Sequence, residues 1–390
     1  MAHALLGDTL EILADLIAFP SVSHDSNLEL IAYINQRLDQ IGTRTYLTLD
    51  PSGTKANLFA TLGPADMDGG IILSGHTDVV PVEGQEWTSD PYVATIRNKR
   101  LYGRGACDMK GFLACMMAYA PHFAEAGLTR PLHMAFTYDE EVGCHGAKVM
   151  LRELESVGRK PALCIVGEPS MMDIIDGHKG CCEYTTSFTG LEGHGSMPDN
   201  GVNAVEYAAR FIAKLMELAE ELKARSPTSG RFDPPYSTIQ VGRISGGIAR
   251  NIIAGAASVD WELRPVSKED YAFVHAQLDA FVNEQLLPPM QAIHPEAGIE
   301  TETVGDVGGL EPVEGSKAVE LVRALTGNTE PTHCVSFNTE AGLFQDKGID
   351  TVICGPGSID QAHKPDEFIE LSQLSACLEM IGNLERHLKS

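Results

Sequence analysis

Apolar positions recur along this chain at two periods, and the switching between them outlines the fold. Leu10, Leu13, Leu16 and Ile17 share one helical face, with Asp8, Glu11 and Asp15 between them. Pro20 ends that helix near Ala18. A second helix is expected over 28–41, with Leu30, Ile31, Ile34 and Leu38 on its buried face. Strands follow at 45–49 and 57–62, and Gly69-Gly70 then introduces Ile71-Ile72-Leu73-Ser74. That run shows no polar alternation, as expected of a central strand covered on both faces. A long helix over 111–126, a strand over 132–136, a helix over 147–157 and a strand over 162–166 continue the series. Strands that alternate with helices imply a mostly parallel sheet with helices on both faces.

After residue 180 the pattern changes. Cys182 to Phe188 alternates like a half-buried strand, a helix is expected over 201–223, and strands over 238–244 and 252–263 flank Gly246-Gly247. A helix over 268–286 and a strand over 297–304 complete a β-α-β-β-α-β order, the split βαβ arrangement. The chain therefore reads as an α/β domain over 1–180 and 293–390 with a ferredoxin-like α+β insertion over 181–292. Helices at 316–325, 340–347 and 371–387 and a strand at 351–354 return to the first pattern.

Composition narrows the partners. The 390 residues carry a formal charge of −25, which argues against nucleic acid and anionic membranes. No apolar run approaches the ~18 residues that would span a bilayer. The first helix lacks a basic flank, so it reads as an amphipathic surface helix and not as a signal peptide. Nine cysteines without a C-x-x-C fit reduced thiols in a cytoplasmic protein.

Candidate chemistry lies at the strand ends. Thr137-Tyr138-Asp139-Glu140-Glu141-Val142-Gly143 places three acids directly behind the apolar run 132–136. His76 and Asp78 follow the strand at 71–74, Glu168 follows 162–166, and His363 follows 351–354. Asp108 ends a glycine-flanked loop ahead of a helix. Each alone is an ordinary turn or cap. Together, at the carboxyl edge of one sheet, they form a ligand set. Two histidines and three carboxylates suit a pair of borderline divalent ions such as zinc, one carboxylate being shared to hold them ~3.5–4 Å apart. Asp78, two residues beyond His76, reads as the carboxylate that orients it. Gly103, Gly105 and Gly111 let backbone pack closely around Asp108, as a shared ligand requires. No cysteine is needed as a ligand.

Five segments carry a resemblance. They are Ser74-Gly75-His76-Thr77-Asp78-Val79-Val80-Pro81; Gly103-Arg104-Gly105-Ala106-Cys107-Asp108-Met109-Lys110-Gly111; Asp139-Glu140-Glu141-Val142-Gly143; Gly167-Glu168-Pro169; and Ala362-His363-Lys364-Pro365-Asp366-Glu367. In that order, and with the inserted domain between them, they resemble the M20 family of dinuclear metallohydrolases. The resemblance implies that His76 and Glu168 hold one metal ion, Glu141 and His363 the other, and that Asp108 bridges both. Zinc is the expected metal and cobalt a workable substitute. It implies a cis peptide after Asp108, and it leaves Glu140 as the general base. Gly190, Gly193-His194-Gly195-Ser196, Pro198 and Asn203-Ala204 are similar to the family's lid motif. There the histidine reaches the partner subunit's site and stabilises the oxyanion, which implies a homodimer. Asn251 and Arg264 resemble positions that contact substrate carboxylate or oxyanion.

Within the family, Thr339-Glu340-Ala341-Gly342 and Gln361-Ala362-His363 are similar to acetylornithine deacetylases of the proteobacterial type. The implied reaction converts N2-acetyl-L-ornithine and water to L-ornithine and acetate, with Glu340 placed to neutralise the substrate's ammonium. A broader N-acyl-amino-acid amidohydrolase, a succinyl-diaminopimelate desuccinylase and a catalytically silent binding homologue remain as alternatives. Retention of every ligand and of the base speaks against the last.

Overall fold

The computed structural model describes residues 2–158, 160–225 and 230–389. It divides into two compact units: 1–177 with 312–334 and 339–390, and 178–311 with 335–338.

The first unit is built on a mixed sheet. Strands Leu132–Thr137, Ile71–His76, Leu163–Pro169 and Asp350–Gly355 lie side by side in that order and run parallel. Ala56–Leu62 and Arg44–Leu49 extend one edge antiparallel. The short strand Ile175–His178 joins the other edge antiparallel to Asp350–Gly355. Every residue of Ile71–His76 and of Leu132–Thr137 is buried, as the absence of polar alternation requires. Helix Lys110–Glu125 is buried over most of its length. It packs against helices Ala2–Ile17 and Leu371–Leu388, which explains why its sequence is apolar on nearly every face. No helix among the described residues is long and apolar enough to cross a membrane.

The second unit has a four-stranded antiparallel sheet in the spatial order Thr238–Gly246, Ala256–Arg264, Cys181–Thr189, Gly298–Val307. With helices Ala204–Arg225 and Lys268–Phe281 between the strands, this is the ferredoxin-like arrangement. Ser267 caps the second helix, its hydroxyl accepting from the Asp270 N–H at 3.2 Å. Tyr184, Phe188, Phe211 and Trp261 form an aromatic centre, with Tyr184 and Trp261 stacked 4.4 Å apart. The unit runs past the expected boundary at 292. Strand Gly298–Val307 pairs with Cys181–Thr189 and so belongs to this sheet. The sequence pattern counts this strand in the split βαβ order, and only the boundary at 292 falls short of it.

One buried histidine makes a pH prediction. His178 Nδ1 lies 2.8 Å from the Lys179 carbonyl oxygen, and its buried Nε2 has no partner among the described residues. Burial pushes its pKa down to about 4. The folded value is below the unfolded value of ~6.5, so its contribution to stability is fully present above ~6.5 and is lost as pH falls toward about 4. Across that window it should remove up to ~3 kcal/mol. Urea midpoints for the wild type and His178→Asn should converge on acidification. Parallel profiles would contradict this assignment.

Candidate metal centre

The parallel register brings the candidate residues of the first unit to one rim. His76 lies opposite Thr137 across the ladder, so the turn carrying Glu140 and Glu141 begins where the neighbouring strand ends. Leu163–Pro169, on the other side of Ile71–His76, carries Glu168 in the same direction. Asp108 precedes helix Lys110–Glu125, and His363 occupies a loop at φ 62°. At Gly105 the backbone has φ +79°, and a Cβ there would stand 2.8 Å from the Val79 side chain. A Cβ on Gly111 would meet the Ala106 carbonyl oxygen at 2.6 Å. The loop around Asp108 therefore closes only with glycine at these two positions. The Asp108–Met109 peptide is cis.

Two ligand sets overlap at Asp108. His76 Nε2 is 3.0 Å from Asp108 Oδ1 and 3.8 Å from Glu168 Oε1. His363 Nε2 is 3.0 Å from Glu141 Oε2 and 3.5 Å from Asp108 Oδ2. Each oxygen of Asp108 thus faces a different histidine. In each set the donor atoms lie within 4.8 Å of one another, close enough to converge on one ion.

The electrostatics fit cations. Burial, then neighbouring acids including Asp108, pushes Glu168 well above the ordinary carboxylate range. Burial also raises Glu140 and Glu141, and Asp108 adds to both. Hydrogen bonding to Asp108 and Glu141 raises His363 to about 10. Asp108 is held low: burial opposes this, but His363 and His76 outweigh it. The shifts favour bound protons at positions where divalent ions would serve as counter-charge. Glu168 Oε1 is buried and has no hydrogen-bond partner among the described residues, a vacant acceptor inside the His76 set. Four carboxylates (Asp108, Glu140, Glu141, Glu168) match the charge of two divalent ions. Cys107 and Cys144 belong to neither ligand set, and burial raises both thiols well above their usual pKa.

Two expectations need correction. The His76 Nδ1 lies 2.9 Å from the Asp78 main-chain carbonyl, while the Asp78 carboxylate stands 3.6 Å away. The carbonyl therefore takes the ring N–H and leaves Nε2 for an ion. The Asp78 carboxylate accepts instead from Ser23 Oγ at 2.7 Å and from the main-chain N–H groups of Glu140 and Glu141 at 3.1 and 3.3 Å. It pins the acidic turn to the strand that carries His76. Asp139, at φ 54°, completes that turn by pairing with Lys55 Nζ at 2.6 Å.

Glu340 is the second correction. It is 1% exposed, and its two oxygens accept from Ser74 Oγ at 2.5 Å and Thr137 Oγ1 at 2.8 Å. It does not cap the helix Ala341–Asp346 that it precedes. It ties together the strands carrying His76 and the acidic turn, and its burial sets it away from a solvated substrate ammonium.

Two residues quoted in the motifs, Arg104 and Glu367, have roles that the sequence did not suggest. Glu367 accepts from the main-chain N–H groups of Gly105, Cys107 and Asp108 at 3.0, 2.8 and 3.0 Å. Arg104 NH1 is 2.8 Å from the same carboxylate, and both side chains are 1% exposed. Burial raises the Glu367 carboxyl, but these four donors are the surroundings of its ionised form. The loop bearing Asp108 is therefore moulded onto a carboxylate four residues beyond His363. Opposite charges in two glycine- and proline-bearing motifs were the available signal.

The second unit holds the remaining candidates. Gly193–His194 pairs with Ile252–Ile253, and the Gly195 N–H donates to the Asn251 carbonyl at 2.8 Å. His194 is exposed, and its Nδ1 accepts from Ser196 Oγ at 2.8 Å, which leaves Nε2 to carry the proton. Asn251 is exposed beside it, so these two are brought together. Arg264 ends the strand Ala256–Arg264 of the four-stranded sheet, half-buried, with NH2 3.1 Å from Glu262 Oε2.

A mixed α/β sheet whose rim gathers two histidines and three carboxylates into overlapping ligand sets, with a fourth carboxylate beside them, has the layout of a metal-dependent hydrolase. The chain belongs to peptidase family M20/M25/M40, whose model matches residues 72–386. It is 35% identical to an acetylornithine deacetylase of Photorhabdus laumondii, over 97% of this chain and 96% of that protein. It is 34% identical to an acetylornithine deacetylase of Proteus mirabilis, over 96% and 95%. Among solved structures it resembles aminopeptidase PepT from Bacillus cereus, with TM-score 0.74 and 19% identity over 99% of both chains. That likeness bears on the fold alone.

Proposed function

We propose that the chain removes the acetyl group of N2-acetyl-L-ornithine, giving L-ornithine and acetate. The observation that carries this reading is its likeness, at 34–35% identity over nearly the whole chain, to proteins named for that activity. The unbroken set of ligand and base residues at the rim supports a working enzyme over a silent homologue.

His76, Asp108 and Glu168 would hold one divalent ion and Asp108, Glu141 and His363 the other, zinc by the mixture of imidazole and carboxylate donors. Bound there, such ions acidify water and polarise an acyl oxygen. Glu140, in neither ligand set, takes the proton of the attacking water. The water oxygen bonds to the acyl carbon, the carbon–nitrogen bond breaks, and Glu140 returns the proton to the departing amine. Asp78 holds Glu140 in place through its main-chain N–H. His194 would reach a partner subunit's site and stabilise the oxyanion, and Asn251 and Arg264 would contact the substrate carboxylate or the oxyanion. In this reading the second unit is a lid and dimerisation domain, and the enzyme is a cytoplasmic homodimer.

The test is a comparison of kcat/KM for N2-acetylornithine, succinyl-diaminopimelate and N-acetylmethionine with zinc or cobalt supplied. Acetylornithine should be preferred. A higher value for either competitor would reassign the substrate. No metal-dependent turnover of any N-acyl amino acid would remove the enzyme reading.

A further inference from the structure

His363 is the exposed member of the ligand sets. Its side chain is 54% accessible, whereas those of His76, Asp108, Glu141 and Glu168 lie between 1% and 8%. It also lies on a loop outside any strand, in the left-handed region. Something has to fix that loop for its imidazole to meet Glu141 and Asp108.

Gln85 is placed to do so. Its Nε2 donates to the His363 main-chain carbonyl at 2.9 Å. Its Oε1 accepts from Arg104 NH2 at 2.6 Å and from Trp87 Nε1 at 3.0 Å. The two donors on one side and the carbonyl on the other fix which way the amide points. Arg104 is itself anchored by Glu367, which organises the Asp108 loop, and its guanidinium lies 5.1 Å from the Trp87 ring centroid. Three residues on, the Thr88 N–H and hydroxyl donate to Asp366 at 3.0 and 2.9 Å, a second tie to the same loop. One short segment, 85–88, therefore links the backbone of one ligand to the scaffold of another.

We propose that Gln85 is a positioning residue for the ion held by Glu141 and His363, setting its affinity without touching it and leaving the His76/Glu168 site alone. This rests on the two-ion reading above. Partners one step removed from a metal typically change its affinity 10–100-fold. Gln85 is half-buried at the surface and lies outside the apolar core, so its replacement opens no cavity there.

The experiment titrates metal-free protein with cobalt(II), following heat and the visible spectrum. Wild type should take up two ions. In Gln85→Met one affinity should stay and the other should weaken about 10–100-fold. Gln85→Glu keeps an acceptor for Arg104 and Trp87 but has no donor for His363, and should show the same selective loss. In a His363→Ala background, Gln85→Met should change nothing further. Wild-type affinities in Gln85→Met, equal weakening of both ions, or a normal Gln85→Glu beside a weakened Gln85→Met would each overturn the proposal while leaving the two-ion reading intact. Wild type taking up fewer than two ions would overturn the two-ion reading itself, and this proposal with it.

Discussion

Glu140→Ala is expected to keep both metal ions and to lose kcat by about 10²–10⁴-fold, the range typical of removing a general base. The argument is the division of labour within one turn. Glu141 and Glu140 are neighbours, and the Asp78 carboxylate holds the N–H of each. Only Glu141 reaches a histidine, at 3.0 Å from His363, and only Glu141 enters a ligand set. The Glu140 side chain is half-buried within the same rim, and the weak Cys144 thiol at 3.6 Å is the hydrogen-bond donor to its carboxyl among the described residues. In the metal-free chain burial and nearby acids raise its pKa well above the ordinary carboxylate range, although His76 opposes them. Cations in the rim would reverse that balance and give an ionised base. Metal content by mass spectrometry and kcat on acetylornithine should therefore separate the two glutamates: Glu140→Ala inactive with two ions, Glu141→Ala short of one. Near-normal turnover in Glu140→Ala would refute the assignment.

The sequence made the rim legible because parallel strands deliver their ends to one edge. Apolar runs without alternation marked the strands, and the polar residue following each run marked the site. What stayed hidden had no periodic signature. Thr95–Arg97, Arg100–Tyr102 and Phe368–Glu370 are three-residue strands, too short to show a pattern. Glu340 looked like a free acid at a helix start, and nothing in its neighbours announced that Ser74 and Thr137, from distant segments, would enclose it. The Asp78 role was misread in the same way. Its spacing to His76 was informative, but the choice between its carbonyl and its carboxylate depends on backbone geometry. Gln85 left no trace at all, since its partner is a main-chain carbonyl. Contacts made by side chains to distant backbone are the part of a site that residue spacing does not encode.

Asp108 is where a single change should do the most damage to metal binding. Its Oδ1 faces His76 and its Oδ2 faces His363, so it is the one side chain common to both sets. Asp108→Asn preserves the shape and keeps the main-chain N–H that donates to Glu367 at 3.0 Å. It removes one anionic oxygen and the charge that both histidines feel. Each ion should weaken by more than about 100-fold, beyond the range typical of a residue one step removed, and turnover should vanish with them. Protons report the same change. In the metal-free wild type, hydrogen bonding to Asp108, the largest influence, and to Glu141 raises His363 to about 10, so that ligand must shed a proton on metal uptake near neutral pH. Without the Asp108 charge the His363 pKa should fall. Calorimetry in buffers of different ionisation enthalpy should then count fewer protons released per ion in Asp108→Asn than in wild type. Loss of only one ion, with the other at wild-type affinity, would mean that Asp108 serves a single site.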